Sequence, residues 1–237
     1  MMTEPRAAIV LAAGLGRRLG PIGQRTPKPL VRVGDKALID HVLDELAVAG
    51  VSAAVVNVHH LAAQLQAHLA ARDPHQLPRV TISDETDGLL DTGGGVAQAL
   101  SLIESATFVL AASDVVRRGA GLERLIDAWD DQVMDVLMLL QPRESATGFD
   151  GAGDFFQDDD ARLVRRGEQV KAPYVYAGLL ICHRRVYDNV PAGPFSNNLV
   201  WDRAIAAGRI FGVVHDGDWF HVGTPAAIAL AERALED

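Results

Sequence analysis

Short, uninterrupted apolar runs alternate along the chain with stretches whose apolar residues recur every three or four positions. Ala8–Ala13 is the first run, and Ala53–Val58, Val80–Ser83, Thr107–Ala112 and Val133–Leu140 repeat it, so each reads as a strand. Between them, Leu38, Ile39, Val42, Leu43 and Leu46 mark a helix closed by Gly50. Leu61, Leu65 and Leu69 mark a second, which Asp73-Pro74 ends. Val96–Leu102 and the set Leu122, Leu125, Ile126 and Trp129 predict two more. A strand that is apolar along its whole length is covered on both faces. The alternation therefore predicts an α/β fold with a mostly parallel sheet flanked by helices.

The second half is less regular. Gly151–Asp160 is acidic and rich in turn residues, Tyr174–Cys182 reads as a strand, Asn198–Ala207 as a helix and Ile210–His215 as a strand. Asp216–Gly223 reads as a loop, after which Thr224 caps and Pro225 opens a last helix to Leu235. One domain is expected over 1–237, with a first part to about 140 and a second, from about 141, that lays strands and loops over the sheet.

Composition narrows the classes of function. The 237 residues suffice for one sizeable core, and 49% apolar content excludes a disordered chain. A net charge of −9 speaks against a protein whose task is gripping nucleic-acid backbone. The one cysteine, Cys182, sits in an apolar run and can form no internal disulfide, so a reducing cytoplasm is the expected compartment. Ala7–Ala13, at seven residues, is too short to cross about 30 Å of hydrocarbon. Glu4 ahead of it, with Arg17 and Arg18 behind, favours a buried strand over a signal-peptide core, and no membrane partner is expected.

Charge is also unevenly placed. Six basic residues and one acid lie between Arg17 and Lys36, a local charge of +5 on a chain whose remainder carries −14. The segment follows the first strand and contains Gly14, Gly16 and Gly20. Glycines let backbone N–H groups close on phosphate oxygens, and Arg and Lys neutralise them. The dinucleotide fingerprint would need glycine where Leu19 stands, and the P-loop would need Gly-Lys at 19–20, so neither motif is present. Taken without its surroundings, the loop also reads as a glycine-rich turn with solvated arginines.

Leu11-Ala12-Ala13-Gly14-Leu15-Gly16-Arg17-Arg18, followed by Pro27-Lys28-Pro29-Leu30, resembles the sugar-1-phosphate nucleotidyltransferases. The resemblance extends over nearly the whole chain and implies a Rossmann-like domain of the nucleotide-diphospho-sugar transferase type, with a small added β lobe for the sugar. It implies catalytic roles for Arg18, Lys28 and Asp114, the carboxylate in Ser113-Asp114 at the end of an apolar strand. It places Leu11, Ala12, Ala13, Gly14, Gly16 and Arg17 on the nucleotide. Thr92, Gly93 and Gly94 join them from Leu90-Asp91-Thr92-Gly93-Gly94-Gly95, read as a glycine-rich entry to a helix where a flat ligand approaches closely.

Mg²⁺ is the implied cofactor, with Asp114 as ligand. The family's second acidic ligand is replaced here by His221, ahead of Val222-Gly223-Thr224, and imidazole suits Mg²⁺ poorly. Sugar contacts are implied for Asp154, Glu168, Lys171, Tyr176 and Gly178. The implied partners are a nucleoside triphosphate and a sugar 1-phosphate. The Thr-Gly-Gly-Gly segment resembles the branch that joins UTP to N-acetylmuramate α-1-phosphate in peptidoglycan recycling. Mannose- or heptose-1-phosphate guanylyltransferase is the alternative, and a non-turning-over nucleotide-sugar binder the alternative from another class. His59-His60, as neighbours in an extended run, would face opposite ways and could not chelate together.

Overall fold

The computed structural model describes residues 5–236, so Glu4 lies outside the described residues. The described chain runs through β1 (Ala7–Leu11), α1 (Pro21–Arg25), a hairpin of β2 (Arg32–Val33) and β3 (Lys36–Ala37), and α2 (Leu38–Val48). It continues through β4 (Ala53–Val58), α3 (Ala62–Ala70), β5 (Arg79–Asp84), α4 (Asp91–Ala99), β6 (Thr107–Ala112), β7 (Val115–Arg117) and α5 (Gly121–Ala128). Then come β8 (Val136–Pro142), β9 (Phe155–Gln157), β10 (Leu163–Arg165) and β11 (Tyr174–His183). The last elements are α6 (Asn198–Ala206), β12 (Ile210–Val214), β13 (Trp219–His221) and α7 (Pro225–Glu236).

The main sheet has the order β5-β4-β1-β6-β11-β8-β12, with β9 and β10 branching from the start of β11. β5, β4, β1 and β6 are parallel to one another, and β11 runs against both β6 and β8. The uninterrupted apolar runs have a simple cause. Ala8, Val10, Val56 and Val109 point to a core shared with α2, α3 and α5, while Ile9, Val55 and Leu110 point to a second core under α4 and α6. Both faces are buried, so both sets of alternating residues must be apolar. Cys182 and Met138 belong to the second core; Met134 precedes β8 and packs against the first.

Several expectations need correction. The loop expected over Asp216–Gly223 contains β13, and the turn-rich Gly151–Asp160 contains β9. α4 begins at Asp91, so the three glycines lie inside the helix rather than ahead of it. His59 and His60 follow β4 and bond different backbone carbonyls, Glu85 O at 2.7 Å and Gly23 O at 2.8 Å. β7 and β13 form an antiparallel ribbon in which Val115 pairs with His221 and Val116 with Phe220. Val116, Phe220 and Val222 pack with Leu19, Val33 and Ala231 in a third, smaller core, which seats α7 and fixes the ribbon over the first loop. Among the described residues, no helix is long and apolar enough to cross a membrane.

His215, just past β12, is 2% exposed; its Nε2 lies 3.4 Å from Asp218 O and its Nδ1 has no partner. Burial holds the imidazole below its ordinary value of 6.5. The unfolded chain therefore takes up a proton near pH 6.5 that the native protein refuses. Stability from this residue is present above that pH and lost as pH falls below it, at up to about 1.4 kcal/mol per pH unit. Urea unfolding at pH 7.5, 6.5 and 5.5 should show a shallower acid loss for His215→Gln than for the parent. Parallel profiles would refute this account.

Candidate active site

Successive strands step from β1 to β4 on one side and return to β6 on the other, so the order reverses at β1. Ligands of open α/β sheets lie at such a point, beyond the carboxyl ends of the strands. A cavity of about 580 Å³ opens there, walled by Leu11–Arg18, Lys28, Asn57, Asp91, Thr92, Ser113, Asp114 and Gly223.

The first loop is held by polar groups at its start and by glycines along its length. Ala12 N and Ala13 N donate to Asn57 Oδ1 at 2.6 and 3.2 Å, and Asn57 Nδ2 donates to Glu85 Oε1 at 2.6 Å. Glu85 Oε2 accepts from Leu90 N at 3.1 Å, so one buried pair ties the first loop to the segment that opens α4. On the other side, Ser113 Oγ donates to Leu11 O at 2.7 Å. Gly16 has φ +59°, and a Cβ on Gly23 would lie 2.4 Å from Gly16 O, so α1 packs directly on the loop backbone. Neither Asn57 nor Glu85 was anticipated. For Asn57 the signal is a lone polar residue inside the apolar run Ala53–Val58.

Charge converges on Asp114. Lys28 Nζ, on a short turn between Pro27 and Pro29, donates to Asp114 Oδ2 at 2.6 Å. His221 Nε2 stands 3.6 Å from the same oxygen and 3.4 Å from Arg18 Nη2, its ring stacked on Trp219. Burial alone would raise the Asp114 carboxyl, but the His221 ring and the Lys28 charge outweigh it and hold the group well below the usual carboxylate range. Asp114 is thus an anion at any pH near neutrality. A Cβ on Gly223 would meet Arg18 Cζ at 3.2 Å, so the glycine lets the guanidinium lie against the backbone.

The residues expected on the nucleotide mostly come together: Leu11, Ala12, Ala13, Gly14, Gly16, Arg17, Arg18, Lys28, Thr92 and Asp114 all line the cavity. Gly93 and Gly94 are buried and do not. Their N–H groups donate to Phe195 O at 2.8 and 3.1 Å, and a Cβ would strike Phe195 or Gly193 O at 2.4 Å. Close packing of the segment before α6, not a flat ligand, is what requires glycine there. Asp154, Glu168, Lys171, Tyr176 and Gly178 do not line this cavity either. Asp154 Oδ2 accepts from Tyr176 N at 2.9 Å, and Tyr176 lies edge-on to Trp201 with ring centres 5.2 Å apart. Gly178, φ +75°, sits where the β11–β8 register shifts, while Glu168 and Lys171 are exposed between β10 and β11.

No three His, Cys, Asp or Glu side chains cluster as a metal cage among the described residues. Asp114 offers the cavity a carboxylate whose Oδ1 is free of Lys28. That donor set fits a hard cation held by one carboxylate plus ligand phosphates.

The family described as nucleotidyl transferase matches residues 7–155, from β1 to β9. The chain belongs to that family. This nucleotidyltransferase is 42% identical, over the full length of both chains, to the N-acetylmuramate alpha-1-phosphate uridylyltransferase of Caulobacter vibrioides. It is 27% identical to the mannose-1-phosphate guanylyltransferase of Mycobacterium tuberculosis, over 95% of this chain and 63% of that protein. HddC from Yersinia pseudotuberculosis, crystallised with GMP-PN, shares the fold with a TM-score of 0.80 at 21% identity, covering 97% of this chain and 99% of that one.

Proposed function

We propose that this nucleotidyltransferase joins UTP to N-acetylmuramate α-1-phosphate, forming UDP-N-acetylmuramate and pyrophosphate. The observation that carries the choice of substrates is the 42% identity over both full lengths to the Caulobacter uridylyltransferase. The product would serve cytoplasmic recycling of cell-wall sugar. On this reading the part to about 140 holds the nucleotide, and the part from about 141 holds the sugar on the β9–β10 lobe and the start of β11 around Asp154, Tyr176 and Gly178.

A sugar-phosphate oxygen bonds to the α-phosphorus while the bond to the departing pyrophosphate breaks, so no protein nucleophile is needed. The chain's task is to align three charged groups and neutralise them. The first loop would close around the triphosphate, with Arg17 and Arg18 on its outer phosphates and Lys28 nearest the reacting one. Asp114 would hold Mg²⁺, which supplies charge neutralisation at the phosphates when bound. His221, between Arg18 and Asp114, is placed to orient these two groups rather than to complete a metal cage.

Pyrophosphate release tests the reading across UTP, GTP, CTP and dTTP with N-acetylmuramate, N-acetylglucosamine, mannose and glucose 1-phosphates, with and without Mg²⁺. Release confined to UTP with the muramate phosphate is expected. The similarity to a guanylyltransferase makes GTP with mannose phosphate the second reading, and release with that pair would replace the first. Silence across the grid with a nucleotide sugar still bound would mark a binder without turnover.

A further inference from the structure

His59 and His60 follow β4 directly, at the carboxyl end of the strand whose Asn57 holds the first loop. Each ring is committed to the backbone of a different segment. A carbonyl oxygen can only accept, so His59 donates from Nδ1 to Glu85 O at 2.7 Å and His60 from Nε2 to Gly23 O at 2.8 Å. Gln64 Nε2 likewise donates to Arg25 O at 3.1 Å. Leu61, at the bend between His60 and α3, holds φ +51°, a left-handed conformation that few residues other than glycine adopt. From the two sides of that bend, His60 and Gln64 reach the same short helix.

That helix, α1, cannot hold itself in place. Five residues are too few for a stable helix, and its last carbonyls have no partner within it. Its one buried residue is Gly23, and Ile22, its one large apolar side chain, is 39% exposed. The carbonyls of Gly23 and Arg25 are two of the groups left over, and His60 and Gln64 satisfy them. α1 also lies between Arg18 and Lys28 along the chain. Because Gly23 packs on Gly16 O, a shift of α1 moves the loop backbone pressed against it.

We propose that His60, seconded by Gln64, is a positioning residue for the phosphate end of the cavity. His60 does not line the cavity itself. By pinning the last carbonyls of α1 it keeps Gly23 against Gly16, and so holds the first loop in shape before any ligand arrives. This rests on the triphosphate lying in that loop, as read above, and it adds what keeps the loop ready. A loop that is already ordered loses less freedom when phosphates bind, so affinity for the outer phosphates is what the contact raises. Base and ribose, held by other walls, feel it little.

Calorimetric binding of UTP and UMP, which differ only in the two outer phosphates, tests this without requiring turnover. His60→Leu should weaken UTP by about tenfold and UMP by no more than about twofold, the scale of one lost ordering contact. His60→Gln, whose amide nitrogen reaches about as far as Nε2, should recover most of the UTP binding. A merely structural role would weaken both nucleotides alike. Gln64→Ala, at an exposed position, should shift UTP in the same direction, and it decides the matter should His60→Leu fail to fold. Unchanged UTP binding in these variants, an equal loss of UMP, or no recovery in His60→Gln would overturn the proposal. Arg18→Leu separates it from the reading on which it rests. If that variant weakens UTP while His60→Leu and Gln64→Ala do not, the loop holds the phosphates and the brace is dispensable. If none of the three changes UTP binding, the triphosphate lies elsewhere and both readings fall.

Discussion

Lys28→Ala should lower the turnover of pyrophosphate release by about 10²-fold or more, the scale lost when one preorganised electrostatic stabiliser is removed. Lys28 is 12% exposed, pinned between Pro27 and Pro29, with its ammonium 2.6 Å from Asp114. Its position costs little further ordering when substrate arrives. The ion pair also means that Lys28 and Asp114 neutralise each other until a triphosphate enters. Lys28→Arg keeps the charge but spreads it over a planar fork too large for the same contact, so partial activity is expected. Steady-state kinetics on the three proteins decide the matter. A Lys28→Ala enzyme within tenfold of the parent would remove Lys28 from the reacting centre, and a larger change in KM than in kcat would make it a binding group only.

Much of this site was legible in the sequence because its parts are local. The first loop and Asp114 each lie where a run of apolar residues stops, and a strand buried on both faces announces its end sharply; Lys28 was marked by the Pro27-Lys28-Pro29-Leu30 part of the resemblance. The ribbon of β7 and β13 was not legible. Each strand has three residues, and neither has enough length for a period of two to show; their pairing joins Val115 to His221 across the chain. The glycines of α4 were visible, but their cause was not, because Phe195 and Gly193 come from a distant segment. Asp91 gave no signal at all, since an acid in a first helical turn is ordinary.

Arg117→Met should destabilise the protein by about 3 kcal/mol, near the low end for breaking a buried ion pair. The Arg117 side chain, 1% exposed, lies on β7 and meets Glu45 of α2 through three contacts of 2.8–3.1 Å. It also donates to Ala177 O of β11 at 3.0 Å, so one guanidinium joins three elements. Without it, Glu45 keeps a charge with no partner, softened only by its residual 19% contact with water. For a chain of this size the melting temperature should fall by about 6–12 °C. Adding Glu45→Leu to Arg117→Met should recover part of the loss, because the stranded charge is then gone. A single variant within about 1 kcal/mol of the parent, read by urea unfolding, would show that the pair is dispensable.

Arg18 and His221 touch although 203 positions separate them, and Val222 N donates to Asp114 O at 2.9 Å. Closing loops of that length must precede any return from the contacts they make. During synthesis, β1, β4 and their helices can therefore condense early, and Lys28 can meet Asp114 once β6 is made, but His221 joins Arg18 and Asp114 only when β13 has left the ribosome. A nascent or truncated chain carrying the whole first loop would still lack its finished cradle, so fragments of this enzyme should not compete with the complete one for nucleotide.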